Sequence, residues 1–336
     1  MLFKDLEFHN VEEILPSGEG YRLHRFPRQV REGLGEGNST YGRYIGQLTT
    51  GCEIRFVTDG DRVQLALSSF DVDGVIHVFR GDFKYATYRV EAGKVNHFML
   101  TKSPQFEALP APYKAGQFSP NVWRILSGHD FGLTFVDIES FGYKLRPPLP
   151  EEKPDKTLLV YGTSITHGAC AAAYTLAYSQ YLGRLLGCQI LNKGMGGSCM
   201  NERVVADYFA GGLSFDAALL ENEVNMGEAM AEAYARNGGY LLDRLALSDP
   251  IRPIWAVTAY PNASLSGADP INPLVKKPFV NDDALRRMAA NYPNVHLIEG
   301  DAVLTDFTGL QCDLIHLNDY GHIQVAQQLA RIIGRL

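Results

Sequence analysis

The chain has 336 residues, of which 46% are hydrophobic and 21% charged, and its formal net charge is −7. That balance belongs to a soluble globular protein long enough for two domains, and an acidic average without a basic run argues against a nucleic-acid partner. No stretch of about 18 apolar residues is present to span a membrane, so no membrane partner is expected. The opening Met1-Leu2-Phe3-Lys4-Asp5-Leu6-Glu7 lacks the apolar core of a signal peptide. The five cysteines (Cys52, Cys170, Cys188, Cys199 and Cys312) are odd in number and show no paired spacing. Reduced thiols in a cytoplasmic setting are the simplest account, and a zinc site is not expected.

From Tyr41 to Tyr143 the signal is alternation with aromatic content. Glu53-Ile54-Arg55-Phe56-Val57 and Val63-Gln64-Leu65-Ala66-Leu67 flank an Asp-Gly turn, a hairpin pattern of period two. Val75–Phe79, Tyr85–Val90, Val95–Leu100, Val122–Leu126 and Leu133–Ile138 continue the series. Seven or more short strands without a convincing helix predict a sandwich or jelly roll over residues 1–146. His77, His97 and His129 have no metal-ligand spacing and read as packed or surface histidines, and Trp123 reads as core. Four prolines among charges in Arg146–Lys156 predict a stiff, extended, solvated linker over 147–156.

Beyond the linker the pattern changes. Leu158-Leu159-Val160-Tyr161-Gly162 has the composition of a buried parallel strand and ends in Gly162-Thr163-Ser164. A serine at that corner is either a solvated turn residue or a group presented at the carboxyl edge of a sheet, where open α/β folds bind ligands. A helix is expected over Thr175–Leu186 and a strand over Gln189–Asn192. Asn201–Ala210 reads as a helix and Ala217–Glu221 as a strand. A long helical segment interrupted at Gly238-Gly239 follows, then strands at Pro253–Thr258 and Asn294–Ile298. Strands alternating with helices imply a parallel sheet covered on both faces, here over residues 157–336.

Three successive strand ends offer Ser164, the pair Gly196-Gly197, and Asn225. A serine nucleophile needs amide donors aimed at the oxyanion it creates. Glycine lets the backbone approach closely, and an asparagine side chain can add a donor. Near the carboxyl terminus, Asp313-Leu314-Ile315-His316 places a base beside an acid, so His316 can accept the serine proton while Asp313 fixes its tautomer. The i, i+3 row Asp313, His316, Asp319 and His322 also has the look of a metal face. Against that, Asn318 or Asp319 reads as the N-cap of a last helix whose apolar face is Val325, Leu329, Ile332, Ile333 and Leu336.

Gly162-Thr163-Ser164, Asn192-x-Gly194-x-x-Gly197, Asn225 and Asp313-x-x-His316 resemble the four blocks of the SGNH (GDSL-type) hydrolases in order and spacing. The resemblance implies a flavodoxin-like three-layer fold and a serine esterase mechanism with no metal and no cofactor. It implies Ser164 as nucleophile, His316 as general base and Asp313 as its orienting acid. The oxyanion donors would be the amides of Ser164 and Gly197 and the side chain of Asn225. Thr163, Glu223, Met226 and Leu317 depart from the family's usual residues, and Glu223 is expected to narrow the pocket wall or to meet a polar substrate. A β-sandwich before such a domain is similar to the layout of carbohydrate acetyl-esterases and of natural-product acyltransferases. The expected function is hydrolysis of a short acyl ester, acetyl above all, on a small molecule or oligosaccharide. Acyl transfer to an alcohol and non-catalytic sugar binding are the alternatives.

Overall fold

In the computed structural model, residues 1–18, 20–35, 39–263 and 279–336 are described. The chain divides into two compact units, Met1–Pro27 with Gln47–Asp155, and Arg28–Gly46 with Lys156–Leu336.

The chain opens with β1 (Leu2–Phe3), β2 (Leu6–His9), β3 (Glu13–Ser17) and β4 (Gly20–His24). Two short helices follow, α1 (Arg28–Gly33) and α2 (Ser39–Ile45), and both belong to the second unit. The first unit resumes with β5 (Glu53–Thr58), β6 (Arg62–Ser69), β7 (Gly74–Arg80), β8 (Phe83–Val90) and β9 (Asn96–Thr101). After α3 (Pro104–Ala108) and α4 (Ala111–Lys114) come β10 (Val122–Ser127), β11 (Leu133–Glu139) and β12 (Leu145–Arg146). They form two antiparallel sheets, one in the order β1-β2-β5-β10-β7-β8 with β12 also on β5, the other β3-β4-β11-β6-β9. One core joins the inner faces, with Phe8, Ile54, Phe56, Val78, Trp123 and Ile125 from the first sheet meeting Leu65, Leu67, Leu100, Leu133 and Phe135 from the second. This is a β-sandwich.

Two sequence expectations are corrected in this unit. Strands β5 and β6 do not form a hairpin, because they lie in different sheets. Alternation marks which face is apolar, and two facing sheets bury that face as well as two adjacent strands do. The proline-rich stretch, expected to be extended and solvated, is solvated only in part, with Pro148 and Pro154 buried and a single helical turn at Pro150–Glu152. Arg146 makes a two-pronged ion pair with Glu152 at 2.6 and 2.8 Å, Glu152 O accepts from Ser119 N at 2.9 Å, and Lys153 pairs with Glu7. These contacts hold it on the sandwich as far as Lys153. Trp123 is buried, stacked with Phe56 and edge-on to Tyr85. His77 is buried too, and burial brings its imidazole down to about 4.

The second unit holds β13 (Thr157–Gly162), α5 (Ser164–His167), α6 (Tyr178–Leu186), β14 (Gln189–Asn192), α7 (Arg203–Gly211) and β15 (Ala217–Glu221). These are followed by α8 (Ala231–Ser248), β16 (Ile254–Val257), α9 (Phe279–Ala289), β17 (Val295–Ile298), α10 (Gly300–Val303) and α11 (Asp319–Ile333). The five strands are parallel in the order β14-β13-β15-β16-β17. That is the flavodoxin-like 2-1-3-4-5 order, which reverses direction at β13 and opens a crevice beyond its carboxyl end. Leu158, Val160, Leu219 and Val257 pack against Tyr178 and Leu182 of α6 and Val325, Leu329 and Ile333 of α11. On the opposite face Tyr161 meets Phe209 of α7 edge-on. Ile332, expected on the apolar face of α11, is exposed.

Helix α8 runs unbroken through Gly238-Gly239. A Cβ on Gly238 would lie 3.2 Å from the Tyr234 ring, and one on Gly239 would lie 3.0 Å from Met288 Sδ of α9, so the pair serves close packing instead of a break. Helix α1 rests on α7, where a Cβ on Gly33 would lie 2.9 Å from Val204, and Gly35 N donates to Glu202 Oε1 at 3.0 Å. Among the described residues no helix is long and apolar enough to cross a membrane.

Candidate active site

The site begins with the way β13 stops. A Cβ on Gly162 would lie 2.2 Å from Glu221 O and 2.3 Å from Thr166 Oγ1, so only glycine lets the ends of β13 and β15 pass this closely. Thr163 then caps α5 through its side chain, which accepts from Ile165 N at 3.3 Å, while Thr163 N donates to Glu221 O. Ser164 opens the one-turn helix and Gly168, in the left-handed region at φ 99°, closes it. The serine therefore stands at the carboxyl end of the strand where the sheet order reverses.

The loop before α11 brings in the other two groups. Ser164 Oγ lies 2.8 Å from His316 Nε2, and His316 Nδ1 lies 2.7 Å from Asp313 Oδ2. A carboxylate can only accept, so Nδ1 carries the ring proton and Nε2 is free to accept from the serine hydroxyl. Asp313 Oδ1 meanwhile accepts from Ile315 N at 2.9 Å and His316 N at 3.0 Å. Burial by itself raises the Asp313 carboxyl, but the His316 ring and the two amides outweigh it and hold the group below the usual carboxylate range. Leu314 between them takes φ 56°, a left-handed conformation of the kind that surrounding hydrogen bonds must hold in place.

The groups expected to face the oxyanion emerge on the same edge. Gly197 has φ 64°, the conformation glycine adopts without strain, and a Cβ on Gly196 would lie 3.8 Å from Ser164 Cα. Asn225 Oδ1 accepts from Cys199 N at 3.1 Å, which fixes the amide plane and turns Nδ2 away from that contact. Asn192 holds the intervening loop, with Nδ2 on Thr166 O at 2.7 Å and Oδ1 accepting from Gly194 N at 2.8 Å.

The row Asp313, His316, Asp319, His322 does not act as one face. Asn318 caps α11, accepting from Gly321 N at 3.0 Å. Asp319 Oδ1 accepts from Ala172 N at 2.8 Å. His322 accepts from Tyr178 N on Nδ1 at 3.2 Å and donates from Nε2 to Ala169 O at 3.1 Å. Both side chains pin the 169–172 loop. Glu223 is also corrected. It is 2% exposed and turned inward toward Tyr234 and Asp282, so it does not line a pocket wall. Burial, with Asp282 beside it, raises its carboxyl well above the usual range.

Sequence reasoning missed three residues. Glu221 lies directly under the serine turn, where Thr163 Oγ1 donates to both its oxygens at 2.9 Å, Thr163 N donates at 3.1 Å and Thr166 Oγ1 at 3.0 Å. A single carboxylate ending the apolar run Ala217-Ala218-Leu219-Leu220 was the available signal. Burial pushes it up to about 7 against those hydrogen bonds. Tyr41 of α2 lies against Gly197, on which a Cβ would be 3.0 Å from Tyr41 Cε1. Nothing local in the sequence links α2 to that glycine. The third, Cys170, has its sulfur beside Asp313 and His316.

A parallel sheet in 2-1-3-4-5 order with a hydrogen-bonded serine, histidine and aspartate at its reversal defines a serine hydrolase of flavodoxin-like fold. Residues 155–334 match the model of the GDSL-like Lipase/Acylhydrolase family, and the chain belongs to that family, as an ester hydrolase. No curated protein matches the chain. Solved structures do, at identities that show likeness of fold alone. A salicylyl-acyltransferase, SsfX3, from a tetracycline biosynthetic pathway is 13% identical with a TM-score of 0.79, over 98% of this chain and 94% of that one. A GDSL-like lipase structure from Bacteroides ovatus is 17% identical with a TM-score of 0.64, over 92% and 90%. A family two carbohydrate esterase from Clostridium thermocellum, in complex with cellohexaose, is 10% identical with a TM-score of 0.61, over 84% and 92%.

Proposed function

We propose that the protein is a serine esterase that removes a short acyl group, acetyl above all, from a carbohydrate. The observation that carries this reading is the unbroken row Ser164 Oγ, His316 Nε2, His316 Nδ1, Asp313 Oδ2. Ser164 Oγ attacks the ester carbonyl as its proton passes to His316 Nε2, and Asp313 stabilises the imidazolium that results. The oxyanion is met by the amides of Ser164 and Gly197 and by Asn225 Nδ2. Collapse breaks the bond to the alcohol, which leaves with the proton from His316. Water then repeats the sequence on the acyl-enzyme, giving its proton to His316, and the carboxylic acid departs as Ser164 takes that proton back. No step needs a metal or cofactor. The carbohydrate part of the reading draws on the fold shared with the Clostridium esterase. A cytoplasmic setting belongs to the same proposal, since five cysteines outside any disulfide suit a reducing compartment.

A second reading is acyl transfer to an alcohol. The fold shared with the salicylyl-acyltransferase and the Tyr41 ring at Gly197 favour it, because an aromatic wall suits an apolar acceptor better than water. The test is turnover of a chromogenic acetate and of acetylated sugars, with and without added alcohols, in wild type and Ser164→Ala. Free acid as sole product supports the esterase, and a new ester supports the transferase. Turnover retained by Ser164→Ala overturns both.

A further inference from the structure

Cys170 follows α5 in a loop that α11 holds at both ends, through His322 on Ala169 O and Asp319 on Ala172 N. One ligand atom each from Cys170, Asp313 and His316 lies within 4.8 Å of the other two. Thiolate, imidazole and a single carboxylate form a donor set for zinc, whereas magnesium and calcium call for several oxygens. Zinc bonds of about 2.0–2.3 Å put tetrahedral ligands about 3.5 Å apart, so side-chain shifts of roughly 1 Å close the three atoms on an ion and leave a fourth position for water. Cys170 and Asp313 are exposed, which gives the ion a way in.

We propose that Cys170, Asp313 and His316 form a zinc-binding site through which zinc inhibits the enzyme. Both ring nitrogens of His316 are already in use, one on Ser164 and one on Asp313. Whichever nitrogen the ion takes, one link of the row is lost and the serine has no base. Binding displaces the Cys170 thiol proton to solvent. The inhibitory half of this inference rests on the esterase reading above, and the binding half does not.

The test uses the full-length chain in two arms. In the first, cobalt(II) is titrated in as a spectroscopic stand-in for zinc, and sulfur-to-metal charge-transfer absorption is followed. One equivalent is expected in wild type and in Cys312→Ala, with the band lost in Cys170→Ala and in the isosteric Cys170→Ser. In the second, zinc inhibition of acetate-ester turnover is measured against each variant's own zinc-free rate. Loss of a ligand should raise the half-inhibitory concentration at least about 10-fold in both Cys170 variants. A band that survives Cys170→Ser or vanishes only in Cys312→Ala, or equal zinc sensitivity in all variants, overturns the proposal. Cobalt binding through Cys170 in a protein that turns over no ester supports the site and overturns the esterase reading instead.

Discussion

Replacing Glu221 by glutamine should make the second unit more stable above neutral pH, not less. The carboxyl is fully buried under the serine turn and its value rises from 4.5 to about 7. Between those values the folded chain keeps a proton that the unfolded chain gives up. Stability therefore falls as pH climbs through this window, and the whole penalty is present above it. At about 1.4 kcal/mol per pH unit the span amounts to about 3 kcal/mol. The glutamine side chain would be neutral at every pH and shaped like the protonated acid, so it should remove the slope. Its amide must find an acceptor among Thr163 and Thr166, which requires one hydroxyl to turn round; that cost is the same at all pH, so it offsets the two curves without changing their difference in slope. Trp255 lies in the second unit and Trp123, the other tryptophan, in the first. Urea unfolding followed by Trp255 fluorescence in a Trp123→Phe background thus reads the second unit alone. The expected result is a stability difference that moves in favour of Glu221→Gln by about 2.5 kcal/mol between pH 5 and pH 8. Parallel pH dependence of the two proteins from pH 5 to 8 would refute the reasoning, because no proton would then be held at this site.

Asp313→Asn should leave the fold intact and lower kcat by roughly 10⁴, since the wrong histidine tautomer then faces the serine. Steady-state kinetics beside an unchanged circular dichroism spectrum checks this. Asn225→Ala should cost roughly 10²–10³ in kcat with little change in KM, because the oxyanion bond forms chiefly in the transition state; a pure KM effect would make Asn225 a ground-state binding residue. Residues 156–336 expressed without Arg28–Gly46 should lose about 3–6 kcal/mol from the missing burial of Val30 and Leu34. The urea midpoint by Trp255 fluorescence measures the loss, and a midpoint equal to that of the full chain would show that α1 and α2 are dispensable.

Much of the second unit could be read along the chain because its signals are local. A parallel strand buried on both faces must be a short apolar run, as Leu158–Tyr161 and Ala217–Leu220 are. A tight strand-to-helix corner needs glycine at Gly162, and a helix start needs a cap such as Asn318. Ser164 could be read as the serine that follows a strand-ending glycine, and Asp313 and His316 as an acid and a base three residues apart, because a serine nucleophile needs a base and the base an orienting acid. What the tertiary structure alone decided concerns partners and directions. Alternation in β5 and β6 marks an apolar face without saying whether the partner lies beside it or across the core. Helices α1 and α2 carry no periodicity that ties them to Val204 or Gly197, since each is too short to show an amphipathic stripe. Glu221 and Glu223 are two residues apart on one segment, yet one supports the serine turn and the other faces Tyr234 and Asp282. Their roles depend on which neighbours the packed chain brings to each carboxyl, and burial by distant residues leaves no mark on the local sequence.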